Sequence, residues 1–123
     1  MGRIDRNEDR EERIRMEILV DAYTQDERAV GWHHYLTDHM TVPFDAQCIE
    51  EREISPLDVG ETVRVLGMSS LNASQSDMIV MVMWRETELG VPLTQLEPID
   101  VDHDTQQAIA DWHYWKARGY QIV

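Results

Sequence analysis

The aspartates in the stretch 98–111 are the residues of this chain whose type and spacing point most directly to chemistry. Asp100, Asp102 and Asp104 alternate where a strand-like region gives way to a helix-like one, and Asp111 follows further along the helix. Ca²⁺ takes about six to eight oxygen ligands, several of them carboxylates, so closely spaced acids offer it suitable donors. The same residue type is favoured at helix N-termini, where it accepts hydrogen bonds from free backbone N–H groups. The stretch therefore indicates either a calcium site or an acidic helix cap.

The spacing copies part of an EF-hand loop without completing one. Asp100, Asp102 and Asp104 match the first three ligand positions of that loop, and Asp111 falls where the bidentate Glu normally stands. Thr105 occupies the position that needs glycine for a sharp turn, and strand-like sequence replaces the entering helix. Any calcium site here is therefore expected to be of another type.

The charge balance restricts the partners of the protein. The chain has 24 acidic against 11 basic residues, a formal net charge of -13. This charge disfavours nucleic acid and anionic membranes as partners and favours cations or basic proteins. With 42% hydrophobic residues and four tryptophans, the chain is too apolar for a disordered acidic tail. We expect a folded body whose self-repulsion is relieved by bound divalent cations.

Length and cysteine content predict one domain in a reducing compartment. The 123 residues fit a single domain, 1–123. Cys48 has no partner for an internal disulfide, the N-terminus lacks the apolar core of a signal peptide, and no apolar stretch is long enough to span a bilayer. We therefore expect a cytoplasmic protein. The charged residues 1–11 are predicted to form a frayed arm, with an exposed first helical turn as the alternative for the stretch 3–13.

Hydrophobic periodicity predicts two helices in the first third of the chain. The first runs from Glu12 to Tyr23, and the capping box that begins at Thr24 starts the second at Gln25. The stripe expected to pack in the first helix is Ile14, Ile18, Leu19, Ala22 and Tyr23. The stripe expected in the second is Ala29, Trp32, Tyr35, Leu36 and His39 or Met40.

Short strands and turns fill the middle of the chain before a closing helix. Two-residue alternation begins at Phe44 and again at Thr62, and an apolar run begins at Met78. A tight helical turn at 93–98 precedes a last strand, and a helix at 102–118 ends at Gly119. This order is similar to that of SH3-like barrels. We predict an α+β fold: a small SH3-like, partly open β-barrel of about five short strands with two N-terminal helices and one C-terminal helix.

A second acidic neighbourhood accompanies the first predicted strand. Glu50, Glu51 and Glu53 follow that strand, and Asp38 and Asp45 bracket the corner before it. For any one of these residues, a solvated surface charge is the commoner role. No two histidines stand at the i, i+4 spacing of a helical metal site, and no nucleophile elbow or phosphate-binding glycine loop occurs. The sequence therefore does not predict an enzyme.

Several blocks of the sequence resemble the small acidic calcium-binding proteins first described in cyanobacteria, the CcbP type. The blocks are DAYTQDERAVGWHHYL, PFDAQCIEEREISPLDVGETVRVLGM, VPLTQLEPID and AIADWHYWKARGY. The resemblance implies a calcium binder or buffer without EF-hands, whose ligands are carboxylates on an acidic surface. The ligand candidates that it implies lie in or beside these blocks: Asp38, Asp45, Glu50, Glu51, Asp100, Asp102, Asp104 and Asp111.

Two further hypotheses stay open. In one, the acidic barrel and exposed aromatics such as Trp84 or Trp112 dock a basic protein partner, and metal is incidental. In the other, an unrecognised hydrolytic site lies around His103 and His113. Within the calcium hypothesis, an aspartate at the start of the closing helix caps that helix while its neighbours share a cation with the second acidic neighbourhood.

Overall fold

The computed structural model describes residues 6–74 and 77–119, and helices make up the first part of them. Helix α1 spans Glu8–Arg13 and continues into a π-helical turn, Ile14–Ile18, and helix α2 spans Gln25–His39. Ile14 and Ile18 are buried as predicted. The prediction for Tyr23 is wrong, because the helix has ended before it and its side chain is 81% exposed. The left-handed conformation of Asp21, at φ 60°, is incompatible with a continuing right-handed helix.

Part of the segment predicted as a frayed arm is helical. Residues 1–5 lie outside the described residues, but Glu8–Arg13 is helical and Asn7 caps it by accepting from the backbone N–H of Arg10 at 3.0 Å. The backbone N–H of Asn7 donates to the Tyr114 hydroxyl at 2.9 Å, and that hydroxyl donates to Glu11 at 2.7 Å. Residues 7–11 are therefore held against the C-terminal helix. They match the alternative of an exposed helical turn.

The capping box at the start of α2 is confirmed. The Thr24 hydroxyl accepts from the backbone N–H of Glu27 at 3.1 Å, and the Glu27 carboxylate accepts from the backbone N–H of Thr24 at 3.0 Å. Hydrogen bonds from the backbone of Tyr23 and Thr24 lower the pKa of Glu27. The predicted stripe of α2 is buried at Ala29, Trp32, Tyr35 and Leu36.

Five antiparallel strands form one open sheet in the order β4-β3-β2-β1-β5. They are β1 Phe44–Cys48, β2 Thr62–Met68, β3 Ile79–Trp84, β4 Thr87–Pro92 and β5 Leu96–Ile99. Arg85 and Glu86 connect β3 to β4 with φ of 49° and 66°, the pair of positive values that a tight hairpin requires. The predicted helical turn is present as a 3₁₀ turn, Leu93–Gln95, directly before β5. The predicted α+β fold with a partly open five-stranded barrel is confirmed.

Helix α3, His103–Ala117, closes the core against α2. Trp112 is fully buried and meets the equally buried Trp32 edge to face, with ring centroids 5.0 Å apart. The hypothesis that Trp112 is exposed for a partner is therefore wrong. Gly119 follows the helix with φ 87°, as the sequence predicted. Among the described residues, no helix has the length and apolar character needed to cross a membrane.

Candidate functional site

The first acidic neighbourhood lies where the end of α2 meets the start of α3. Thr105, in the first turn of α3, is fully buried, and its hydroxyl accepts from the backbone N–H of Thr41 at 2.8 Å. The same hydroxyl donates to the Asp102 carboxylate at 2.5 Å and lies 3.5 Å from the carbonyl oxygen of His39. Thr105 therefore fastens the two helix ends to each other. Sequence reasoning missed this role, although a Thr three residues after an Asp at a helix start is the available signal.

Asp102 takes the N-cap position of α3, as one of the sequence hypotheses expected. Its backbone is extended there, at φ −71° and ψ 168°, and its side chain accepts from the Thr105 hydroxyl. The hydrogen bond from Thr105 lowers the pKa of the Asp102 carboxyl. Asp102 therefore keeps its negative charge to a lower pH than an ordinary aspartate.

The pairing of β1 with β5 places further acids on the elements beside this junction. Asp45 pairs with Ile99 in the ladder, and the Cα atoms of such partners are about 4.5–5.5 Å apart. Asp100 is the next residue along, and its φ of 51° marks the change in chain direction after β5. Asp38 lies in the last turn of α2, next to the residue whose carbonyl faces Thr105. We name the resulting group the acidic corner: Asp38, Asp45, Asp100, Asp102 and Asp104.

Two members of the acidic corner have exposed partners. The Asp38 carboxylate is 3.1 Å from Nε2 of His34, and the Asp45 carboxylate is 3.0 Å from a guanidinium nitrogen of Arg64. Solvent-exposed pairs of this kind contribute little to stability, so a cation can compete with them. In the described part of the chain, Asp100, Asp102 and Asp104 form no ion pair with Lys or Arg. The start of α3 is therefore one of the places where exposed carboxylate charge has no basic partner among the described residues.

The acidic corner is not a preassembled metal cage. Within residues 6–74 and 77–119, no three His, Cys, Asp or Glu side chains lie close enough together to hold one ion. Its carboxylate oxygens are nevertheless the hard donors that Ca²⁺ prefers, and calcium shells also include backbone carbonyls and water in flexible geometry. The donor set fits calcium, provided that side-chain rotation and water complete the shell.

Glu50 and Glu51 belong to a different part of the surface. Three strand steps, roughly 10 Å at about 3.3 Å per residue, separate Asp45 from Cys48 at the end of β1, and Glu50 lies two residues beyond that end. The Glu50 carboxylate lies 3.7 Å from a guanidinium nitrogen of Arg52, and Glu51 is exposed. The hypothesis that Glu50 or Glu51 shares one cation with the aspartates of α3 does not fit this separation.

Asp111 has a structural role in place of the predicted ligand role. Its side chain is fully buried, and Arg13 approaches both oxygens with a two-pronged contact at 2.7 and 2.9 Å. Arg10 donates to it at 2.6 Å and the Tyr35 hydroxyl at 3.0 Å. The hydrogen bond that Arg13 donates to Asp111 raises the pKa of Arg13, and burial raises the pKa of Tyr35. Both side chains therefore keep their protons. Asp111 therefore anchors α1 and α2 to α3, and we no longer include it among calcium ligands.

The two histidines of the hydrolase hypothesis do not meet. His103 begins α3 and His113 lies ten residues later on the same helix, a separation of about 15 Å along the axis. His113 is half-buried, and burial lowers its pKa. It lines a cavity of about 480 Å³ with Arg10, Glu97 and Tyr114, away from His103. The described residues thus offer no joint site for these two groups.

Comparisons with known proteins agree with this fold. A family model described as calcium binding, of the CcbP type, matches residues 12–116. The crystal structure of Anabaena CcbP is 43% identical, covers 98% of both chains and superposes with a TM-score of 0.86. A second structure, a calcium-binding protein in the calcium-binding form, is 42% identical with a TM-score of 0.85 and the same coverage. No curated protein matches the chain. The resemblance seen in the sequence is confirmed, and the chain belongs to the CcbP family of calcium-binding proteins.

Proposed function

We propose that this protein binds Ca²⁺ at the acidic corner and acts as a soluble calcium buffer of the cytoplasm. The observation that carries the choice of ion is the 42% identity, over 98% of both chains, to a protein solved in its calcium-binding form. The observation that supports the place is the clamp at Thr105, which joins the end of α2, where Asp38 lies, to the start of α3, where Asp102 and Asp104 lie. The single cysteine, Cys48, is buried and free, in keeping with a reducing compartment.

The proposed mechanism is electrostatic capture followed by local closure. Asp100, Asp102 and Asp104 present charge that no arginine or lysine neutralises in the described residues, so a divalent cation is attracted there first. Two or three carboxylates then rotate onto the ion, and backbone carbonyls and water complete a non-EF-hand shell. Because the donors are exposed and not preassembled, we expect fast exchange, affinity in the range of roughly 10⁻⁵–10⁻³ M, and weakening by salt.

Glu50 and Glu51 form a separate place of attraction in this proposal. The Arg52 guanidinium beside Glu50 lowers the local negative potential, and Arg52 also lies 3.5 Å from an Asp77 oxygen. A cation held at Glu50 and Glu51 must compete with that guanidinium. We therefore expect any second calcium to bind more weakly than the one at the acidic corner.

Calorimetric titration of Ca²⁺ and Mg²⁺ in low-salt buffer tests the proposal. The double variant Asp100→Asn, Asp102→Asn should lose at least about tenfold in calcium affinity, since two charged ligands become neutral. The matched control, Asp9→Asn with Glu88→Gln, removes the same charge from exposed acids on α1 and on the sheet edge farthest from β5. Its affinity should change less than about twofold. Mg²⁺ should bind more weakly, because it demands a stricter octahedral shell.

Two results would contradict the proposal. Absence of any heat or melting shift at millimolar calcium would exclude calcium binding by the isolated protein. An equal loss of affinity in the double variant and its control would mean that calcium responds to the overall charge of the surface and not to the acidic corner.

A further inference from the structure

A shallow apolar groove lies on the side of α2 where the chain enters it. The groove has a volume of about 340 Å³ and runs between the end of the π-helical turn and the first two turns of α2. Its described lining consists of Ile18, Val20, Asp21, Ala22, Asp26, Glu27, Val30 and Gly31. None of these residues belongs to the acidic corner, so the groove is separate from the proposed calcium site.

The walls of the groove are apolar side chains that the core does not use. Val20 is 56% exposed and Val30 is 48% exposed, on opposite sides of the groove. Between them the two segments approach closely, since a Cβ built on Gly31 would lie 2.5 Å from the carbonyl oxygen of Ile18. The groove is thus fixed by backbone packing. Exposed apolar side chains gathered at one concave place, rimmed by polar groups, are typical of interaction surfaces.

The rim of the groove carries charge of one sign. Asp21, Asp26 and Glu27 line it, and the described lining includes no Lys, Arg or His. Glu27 is occupied by the backbone N–H groups of Tyr23 and Thr24, so Asp21 and Asp26 are the acids available to a partner. With a protein of net charge -13, an anionic partner or membrane would be repelled.

We propose that this groove docks a basic amphipathic helix of a partner protein. Apolar side chains at helical spacing would contact Val20 and Val30, and flanking Lys or Arg side chains would meet Asp21 and Asp26. The proposal concerns a second activity of the protein and does not depend on calcium binding at the acidic corner. The apolar walls and acidic rim of the groove restrict the proposed partner to a cationic helix with one apolar face.

Fluorescence anisotropy with two synthetic peptides tests this docking in EDTA and about 0.15 M salt. The probe is a labelled Leu/Lys peptide of roughly 14 residues with leucines on one helical face, and its control replaces every Lys with Glu. Val20→Ser with Val30→Ser should weaken binding of the Leu/Lys peptide about tenfold, because apolar contact is lost without a charge change. The matched control, Ile54→Ser with Val59→Ser, alters two exposed apolar residues outside the groove. It should change the affinity for the Leu/Lys peptide by less than about twofold.

A second pair of variants separates the groove from general charge attraction. Asp21→Asn with Asp26→Asn should weaken binding by more than Asp9→Asn with Glu88→Gln, which removes equal charge from exposed acids of α1 and β4. Equal losses in both charge pairs, or in both apolar pairs, overturn the proposal, as does equal binding of the Leu/Glu peptide. Analytical ultracentrifugation of the protein alone supplies the remaining test. A dimer that Val20→Ser with Val30→Ser dissolves would assign the groove to a second copy of this chain.

Discussion

Asp111→Asn should destabilise the protein strongly while leaving calcium binding nearly unchanged. The substitution keeps the size of the side chain but removes the only negative charge that Arg10 and Arg13 contact in the described residues, and it turns an amide NH₂ toward their donors. Removing one partner of a fully buried ion pair costs about 3–5 kcal/mol. The two arginine side chains are 29% and 21% exposed, so water relieves part of this cost. We expect a loss near 3 kcal/mol, at the lower end of that range.

Urea unfolding followed by tryptophan fluorescence measures this loss, since Trp32 and Trp112 are fully buried and adjacent. A loss of about 3 kcal/mol corresponds to a decrease in Tm of about 10–15 °C for a domain of this size. Asp104→Asn is the matched control, because it makes the same change on the same helix at an exposed position. It should alter the free energy of unfolding by less than about 0.5 kcal/mol.

Calcium titration of Asp111→Asn, well below its melting temperature, decides between anchor and ligand. If Asp111 is a structural anchor, Asp111→Asn should bind calcium within about threefold of the wild-type affinity, because Thr105 fastens the acidic corner separately. If Asp111→Asn is as stable as Asp104→Asn but binds calcium tenfold or more weakly, the structural role of Asp111 would be refuted and Asp111 would be a calcium ligand.

Two further predictions concern pH and backbone packing. Burial lowers the pKa of His113 against the opposing charge of Glu97, so the unfolded chain takes up the proton first. The contribution of neutral His113 is complete above the unfolded pKa, about 6.5, and is lost as pH falls through the folded pKa. His113→Asn should therefore flatten the decrease in unfolding free energy between pH 7.5 and 5.5, and a variant that keeps the wild-type slope would contradict this role of His113. Gly31→Ala should destabilise by about 1–3 kcal/mol in urea, opposite to the usual gain of about 1 kcal/mol in a helix, because its Cβ would lie 2.5 Å from the Ile18 carbonyl oxygen.

Local chemical signals in the sequence predicted the elements that depend on them. Thr24 and Glu27 form the expected capping box, and Gly119 follows α3 with positive φ. The 3₁₀ turn before β5 also lies where the sequence placed it. Each of these features is decided within a few residues, by hydrogen bonds of neighbouring groups or by the conformations that a glycine permits. Such interactions can be predicted from the sequence without knowledge of the tertiary structure.

Features that depend on residues far apart in the sequence could not be predicted in this way. Asp111 was grouped with the surface acids by its type, although its spacing from Ala108 and Trp115 places it on the packed side of α3. Its neutralisation comes from arginines about a hundred residues away in sequence, in the arm that was expected to fray. Likewise Tyr23 fitted a helical stripe, but the left-handed residue at Asp21 ended the helix first.

Arginines neutralise some of the acids considered as ligands and leave others without a basic partner. Arg10 and Arg13 neutralise a buried carboxylate, where an uncompensated charge would be costly, and Arg64 and Arg52 sit beside exposed acids at Asp45 and Glu50. In the described residues none reaches Asp100, Asp102 or Asp104, so their carboxylate charge is compensated only in part, by the positive end of the helix dipole and, at Asp102, by the Thr105 hydroxyl. This compensation neutralises only part of the carboxylate charge. Negative potential remaining at a rigid, clamped helix start is what a mobile divalent cation can exploit. This distribution supports the proposal that a calcium ion binds at the start of α3.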